Sequence, residues 1–437
     1  MTPEGAAPPQ GTRPPLAVLA CAGPLPIEVA DAAVRAGRAV FVVGIDGFAG
    51  DEIARFPHAR VNIGQIGAML AAWRKAGCRD LVIAGAMRRP NLLRIKVDGG
   101  FFRAIGTALS LTRGGDDSIL RRIIRFFERE GLRVVGPQEV APHLLAGPGP
   151  LARHVPAPAS LQAIERASAV LADLGRFDVG QAAIATADRV IALEGVGGTD
   201  GLVRSAGGPA RGGVLVKMPK PSQEMRIDLP TIGPETLRRA AEAGLAGIAI
   251  SAGQSLVLER DEVARLADEA GLFVTGLAPS AGRPVERVAA DPPVSELLGR
   301  PRPRTREARD IAIGAELLDT LAPHAAGQAV VVSGEHVLAI DGANGPIAML
   351  AWLDRGSHWG LRVVRKRIGV LVLRSSALRT NDGAAIVAAV DAAGLAGIAL
   401  AGKEAGHEPS LTGALEARGL FLVRVSIASH REPGGAA

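Results

Sequence analysis

The segment Ala243-Gly-Leu-Ala-Gly-Ile-Ala249 returns letter for letter as Ala393-Gly-Leu-Ala-Gly-Ile-Ala399, the last of four matches that recur in one order along the chain. Gly180-Gln-Ala182 recurs as Gly327-Gln-Ala329 and Glu194-Gly195 as Asp341-Gly342, both at an offset of 147, and Gly213-Val-Leu-Val216 recurs as Gly369-Val-Leu-Val372. Chance does not produce four segments in a shared order and spacing. Residues 305–428 therefore read as a second copy of a domain at 160–278. The chain has 437 residues, which at roughly 100–200 residues per domain leaves room for a further domain ahead of the pair.

That first domain is expected over 16–150. Leu16-Ala-Val-Leu-Ala20, Ala39-Val-Phe-Val-Val43 and Leu81-Val-Ile-Ala84 are short apolar runs separated by segments with helical apolar spacing. Alternation of this kind predicts a mostly parallel sheet covered by helices. The fold class is α/β: an N-terminal Rossmann-like parallel-sheet domain plus a second α/β domain that is duplicated. Proline-rich residues 1–15 and residues 429–437 read as disordered tails, and 279–304, with SAGRP, DPP and RPRPR, as a linker.

Composition narrows the function. The net charge is +6, aromatic residues make up 3% and Tyr is absent, so stacking platforms and basic patches for nucleic acid are lacking and no nucleic-acid partner is expected. Cys21 and Cys78 are too few for a disulfide framework, which suits a reducing, cytoplasmic setting. The longest apolar stretch, Ala384 to Gly402, is broken by Asp391 and reads as a helix followed by a buried strand. No HExxH, GxSxG or P-loop occurs, and the turn after the first strand, Ala20-Cys-Ala-Gly-Pro-Leu-Pro26, lacks the dinucleotide fingerprint.

The candidate chemistry lies in a few motifs. A strand ending in Lys217, followed by Lys220, Arg226 and Asp228, puts three cations and a carboxylate at one sheet edge, which suits a phosphate-bearing ligand with metal or water activation. The competing reading is that the lysines are solvated and Asp228 caps the helix begun at Pro234. The loop Glu194 to Asp200 offers Thr199 and Asp200 at a helix start, fit either to hold a phosphate or a divalent cation or merely to cap the helix. Asp116 and Asp117 carry the same two readings. Gly64 and Gln65, together with Arg88 and Arg89, sit at ends of expected elements where ligand-facing loops of an open α/β sheet lie.

Taken together, VLACAGPLP at 18–26, IGQIG at 63–67, AGAMRRP at 84–90, GDDSIL at 115–120, EGVGGTD at 194–200, LVKMPKP at 215–221 and RIDLPTIGPET at 226–236 resemble the LpxI family of UDP-2,3-diacylglucosamine pyrophosphatases. The resemblance covers about 16–278. It implies Mg²⁺- or Mn²⁺-assisted hydrolysis of UDP-2,3-diacylglucosamine to UMP and 2,3-diacylglucosamine 1-phosphate in lipid A synthesis, in a cleft between two α/β domains. It carries the catalytic carboxylate onto Asp228, in metal binding or water activation, and assigns Lys217, Lys220 and Arg226 to the diphosphate. Asp200 would serve as a further metal ligand. Gly64, Gln65, Arg88, Arg89, Asp116, Asp117, Glu194, Thr199 and Thr231 would contact substrate. A substrate with acyl chains implies a cytoplasmic protein peripheral on the inner-membrane surface. The sequence departs from the family where Cys21 and Ala22 replace turn glycines and at Met87.

The second copy lacks these groups. Leu373 stands opposite Lys217, Leu378 opposite Asp228, and Pro346 and Ile347 opposite Thr199 and Asp200, so residues 305–428 are expected to be non-catalytic. Two roles are open to them: mimicking a neighbouring subunit's domain in a homo-oligomer, or covering the acyl end of the cleft. The alternative for the whole chain is a catalytically inactive nucleotide-sugar-binding or scaffold protein.

Overall fold

The computed structural model describes residues 13–87, 96–100, 116–221, 223–278, 294–355, 367–380, 382–402 and 409–427. It divides into two compact units. One comprises the chain up to Ala146 together with Gln223–Gly233 and Gln254–Arg260, the other the remainder.

In the first unit Leu16–Ala20 is buried at every position, as an uninterrupted apolar run must be in a parallel sheet covered on both faces. It lies at the centre of five parallel strands in the order His58–Val61, Val40–Ile45, Leu16–Ala20, Asp80–Ala84 and Arg133–Val134. Helix Leu25–Arg35 contributes Val29, Ala30 and Ala33 to the core on one face. Helices Ile66–Lys75 and Asp116–Arg129 contribute Trp73 and Phe127 on the other, their rings edge to face with centroids 6.0 Å apart.

Two excursions from the 160–278 stretch belong to this unit. Thr231–Ile232 pairs in parallel with Leu256–Val257, and Leu229, Leu256 and Leu258 pack into one cluster with Leu16, Val18 and Val82. The segment carrying Arg226, Asp228 and Thr231 is thus bound by its own leucines to the N-terminal sheet's core, whereas the sequence pattern places it in the second domain.

The second unit contains two six-stranded mixed sheets of one topology. The first runs Gly149–Pro150, Phe273–Leu277, Gly247–Ser251, Val214–Lys217, Ala182–Ala185, Val190–Leu193. The second runs Val294–Leu297, Phe421–Val425, Gly397–Ala401, Val370–Arg374, Ala329–Ser333, His336–Ile340. Parallel and antiparallel pairings match strand for strand. Val294–Leu297, inside the stretch expected as linker, is an edge strand of the second sheet, the counterpart of Gly149–Pro150 in the first.

The likeness reaches segments with no matching letters. Helices Pro158–Leu174 and Thr305–Leu321 begin and end 147 residues apart, and each is followed by a short 3₁₀ turn and a left-handed residue, Asp178 at φ 55° and Ala325 at φ 49°. Gly247 and Gly397 lie so close to the rings of Phe273 and Phe421 that a Cβ at either would collide with its ring. That contact explains why the glycine of the Ala-Gly-Ile-Ala segment is retained in both copies. Among the described residues no helix is long and apolar enough to cross a membrane.

Candidate active site

The expected cluster divides between the units: Arg226, Asp228 and Thr231 lie in the first, Lys217, Lys220, Glu194, Thr199 and Asp200 in the second.

In the first unit, residues 224–228 make a helical turn closed by Asp228 N–H donating to the Glu224 carbonyl at 3.0 Å. The buried Gln223 side chain donates to Asp228 Oδ2 at 2.9 Å, fixing the orientation of the carboxylate. Arg226 forks onto both oxygens of Glu224 at 2.9 and 3.0 Å and reaches Glu128 Oε1 at 3.0 Å. The hydrogen bonds from Arg226 to Glu224 hold the Glu224 carboxyl below its usual range. A guanidinium shared by two carboxylates clasps the turn to the helix Asp116–Arg129, a structural duty beside the anion-binding one expected of it. Thr231 Oγ1 donates to the Leu229 carbonyl at 2.9 Å and stabilises the bend that follows Asp228.

Gly64 and Gln65 form the turn ahead of helix Ile66–Lys75. Gln65 Oε1 accepts from the Asn62 N–H at 2.8 Å, and Asn62 Oδ1 accepts from Gly64 N–H at 3.3 Å and Lys96 N–H at 2.8 Å. The first amides of that helix, Gly67 and Ala68, donate to the Asp98 carboxylate at 3.1 and 2.9 Å. An anion thus already sits at this helix N-terminus, and it comes from the protein. Asp98 was not singled out in the sequence because it is remote from the helix it caps. The loops after the two central strands are joined by a bridge between Ala22 and Ala86, with Gly85 at φ 94° against the Ala22 carbonyl. Gly85 has no room for a side chain there, which lets the two loops approach closely. Arg88, Arg89 and the side chains of Asp116 and Asp117 lie outside the described residues; Asp116 opens its helix as expected.

In the second unit Glu194 is buried, its Oε2 accepting from the Gln181 N–H at 2.7 Å and its Oε1 from Thr199 Oγ1 at 2.9 Å. Both residues thereby brace the Gly-rich loop that leads into helix Gly198–Ala206. Asp200 forms an ion pair with Arg239, which also bonds Glu235 at 2.9 Å. Lys217 is buried at the end of its strand, in register with Ala182, and Lys220 Nζ contacts Asp178 Oδ1 at 2.5 Å. In the second sheet Ala329 pairs with Leu373, so leucine occupies the lysine's register position. The interval after Leu373 is filled by the short helix Ala377–Thr380, with Leu378 packed against the third domain's core. Among the described residues this domain has no counterpart of the excursion that carries Asp228.

Among the described residues no three His, Cys, Asp or Glu side chains converge as a metal cluster. One carboxylate is nevertheless enough for a hard cation that draws its other oxygens from water and a diphosphate. Asp228, as an oriented carboxylate, fits that requirement, whereas Asp200 is engaged with Arg239.

Comparison with known proteins agrees with this arrangement. The LpxI N-terminal domain matches residues 15–144, and the LpxI C-terminal domain matches both 147–275 and 295–404. The UDP-2,3-diacylglucosamine pyrophosphatase LpxI of Caulobacter vibrioides is 39% identical over 273 residues, covering 60% of this chain and 98% of that protein. With both family domains present in order and together spanning most of its length, the chain belongs to the LpxI family.

Proposed function

We propose that the protein hydrolyses UDP-2,3-diacylglucosamine to UMP and 2,3-diacylglucosamine 1-phosphate, a step of lipid A synthesis, with Mg²⁺ or Mn²⁺. The observation that carries this reading is the Asp228 carboxylate, held by Gln223 within the RIDLPTIG segment, in a chain that matches a pyrophosphatase over 98% of the latter's length.

In this reading the oxygen of water bonds to the sugar-side phosphorus while the bridging P–O bond breaks and UMP leaves. Asp228 accepts a hydrogen bond from the attacking water, orients it and is the carboxylate that would hold the cation. The cation, when bound, neutralises charge on the diphosphate. Lys217 and Lys220 are the cations that the family resemblance assigns to the diphosphate charge. The acyl chains of the substrate place the protein in the cytoplasm at the inner-membrane surface, as a peripheral visitor.

The two matches to one family domain, with identical strand order, support a duplication in which residues 294–427 lost the chemistry: Leu373 replaces Lys217, and among the described residues nothing corresponds to the Asp228 excursion. The test is UMP release from the diacylated UDP-sugar with Mg²⁺ present. Wild-type turnover that is lost in Asp228→Ala supports the assignment; equal rates for the two defeat it. Nucleotide-sugar binding without turnover would favour the inactive scaffold.

A further inference from the structure

The two sheets of the second unit meet across a pseudo-two-fold axis. Val196 N–H donates to the Leu338 carbonyl at 3.2 Å, and Ala343 N–H donates to the Ile191 carbonyl at 2.8 Å. Val196 and Ala343 are 147 positions apart, as are Ile191 and Leu338, so one contact is the image of the other. Gly195 packs against the Leu338 carbonyl and its equivalent Gly342 against the Ile191 carbonyl, each where a Cβ would collide. A third pair follows the rule with altered residues. The Trp352 indole lies on Gly197, and Asn344 donates to the Ser205 carbonyl at 2.6 Å; 197 matches 344 and 205 matches 352.

Helices Pro158–Leu174 and Thr305–Leu321 extend the contact. His324 bonds Asp173 at 2.7 Å, while Arg176 bonds Thr320 at 2.5 Å; positions 173 and 320 are equivalent, and Arg176 stands one position before the equivalent of His324, so these two contacts are related only approximately. Beneath them Val170, Leu174 and Leu193 form one buried cluster with Leu317, Leu321 and Ile340. Reciprocal contacts of this kind, i with j and j with i, define an isologous interface between two copies of a domain, and a shared apolar core is the mark of a permanent one.

We infer that the third domain is a built-in partner: it occupies in cis the place that a second copy of the 147–278 domain would take across a two-fold axis, and it closes that face to other chains. The altered pair supports this. If the 147–278 domain met its own copy, Gly197 would face Ser205 and leave empty the space that the indole fills. If the third domain met its own copy, Asn344 would face Trp352, where only a residue without a side chain leaves room. Each half has diverged to suit the other and no longer suits itself, which gives specificity for the mixed pair. Closure also protects Val190–Leu193 and His336–Ile340, the outermost strands of their sheets, from pairing with other molecules.

The test uses the full chain. Replacing Ser205 and Asn344 together by cysteine and oxidising should give a crosslinked species at the chain mass of 44.9 kDa. Crosslinking at twice that mass, or none in a folded protein, overturns the inference. Sedimentation over roughly a hundredfold concentration range, paired with hydrogen exchange, is the second measurement. Protection of Val190–Leu193 and His336–Ile340 that is full at the lowest concentration and constant thereafter agrees with closure in cis, whereas protection that rises with dimer formation overturns it. Trp352→Ser, which installs the residue of the first copy, should raise exchange at 195–206 at least tenfold, and Trp352→Phe should restore most of the protection. Unchanged exchange in Trp352→Ser counts against the inference.

Discussion

Gln223 donates its side-chain amide to both ends of Asp228, the carboxylate Oδ2 at 2.9 Å and the backbone carbonyl at 2.5 Å. The carboxylate is thereby held in one orientation by a residue that is only 7% exposed. A hydrogen bond to a charged group is worth about 1.5–3 kcal/mol. Gln223→Leu should therefore lower UMP release roughly 10- to 100-fold while the far-ultraviolet circular dichroism stays native. Steady-state kinetics beside the Asp228→Asn variant would check this; wild-type rates in Gln223→Leu would show that the carboxylate is oriented by something else.

Lys217 and Leu373 occupy one register position in two sheets of equal topology, opposite Ala182 and Ala329. Lys217→Leu should consequently keep its thermal midpoint within a few degrees and, if Lys217 serves the diphosphate as proposed, lose at least about tenfold in turnover. The reciprocal Leu373→Lys should lower stability by about 3–5 kcal/mol, because it puts an unpaired ammonium in a wholly buried place. Denaturant titration separates the two outcomes.

Asp341 is the third domain's counterpart of Glu194, and its Oδ1 accepts from the N–H groups of Gln328 and Ala329 at 2.6 and 2.9 Å. The hydroxyl that Thr199 gives Glu194 is missing, since position 346 is proline, and Oδ2 has no partner among the described residues beside a cavity of about 180 Å³. Burial pushes the Asp341 carboxyl up to about 6. A folded-state value above the unfolded one means that stability is fully present below the ordinary carboxylate range and is lost as pH rises through about 6. Asp341→Asn should remove that slope and raise the unfolding free energy at pH 8 by roughly 1–3 kcal/mol, with the gain vanishing near pH 4. Thermal melts of both proteins across this window test it; parallel curves would refute it.

Cys21 and Cys78 are buried, and burial raises both thiols to about 11. Thiolate is the reactive form, so the native protein should react with a disulfide reagent at least about a hundredfold more slowly than after denaturation, when both cysteines titrate. Fast labelling of the folded protein would show that the first sheet opens locally.

Much of this architecture was legible in the residues. Repeats such as Ala243–Ala249 and Ala393–Ala399 revealed the duplicated domain, and within them Gly247 and Gly397 persist because a glycine pressed against an aromatic ring tolerates no side chain. Uninterrupted apolar runs such as Leu16–Ala20 revealed the parallel sheet, since strands covered on both faces need no alternation. The RIDLPTIG segment named Asp228 through its family likeness.

Three features depended on the tertiary structure. Assignment of Asp228 and Arg226 to the N-terminal unit rests on Leu229, Leu256 and Leu258 joining a core that includes residues as remote in sequence as Leu16 and Val18. Capping of helix Ile66–Lys75 by Asp98 joins residues that no local periodicity links. The pseudo-two-fold contact of Gly197 with Trp352 and Asn344 with Ser205 emerges only when the two copies are set face to face. Sequence patterns report what each element must bury; which surface satisfies that need is decided by long-range packing, where the partner is chosen by shape and hydrogen bonding across the fold.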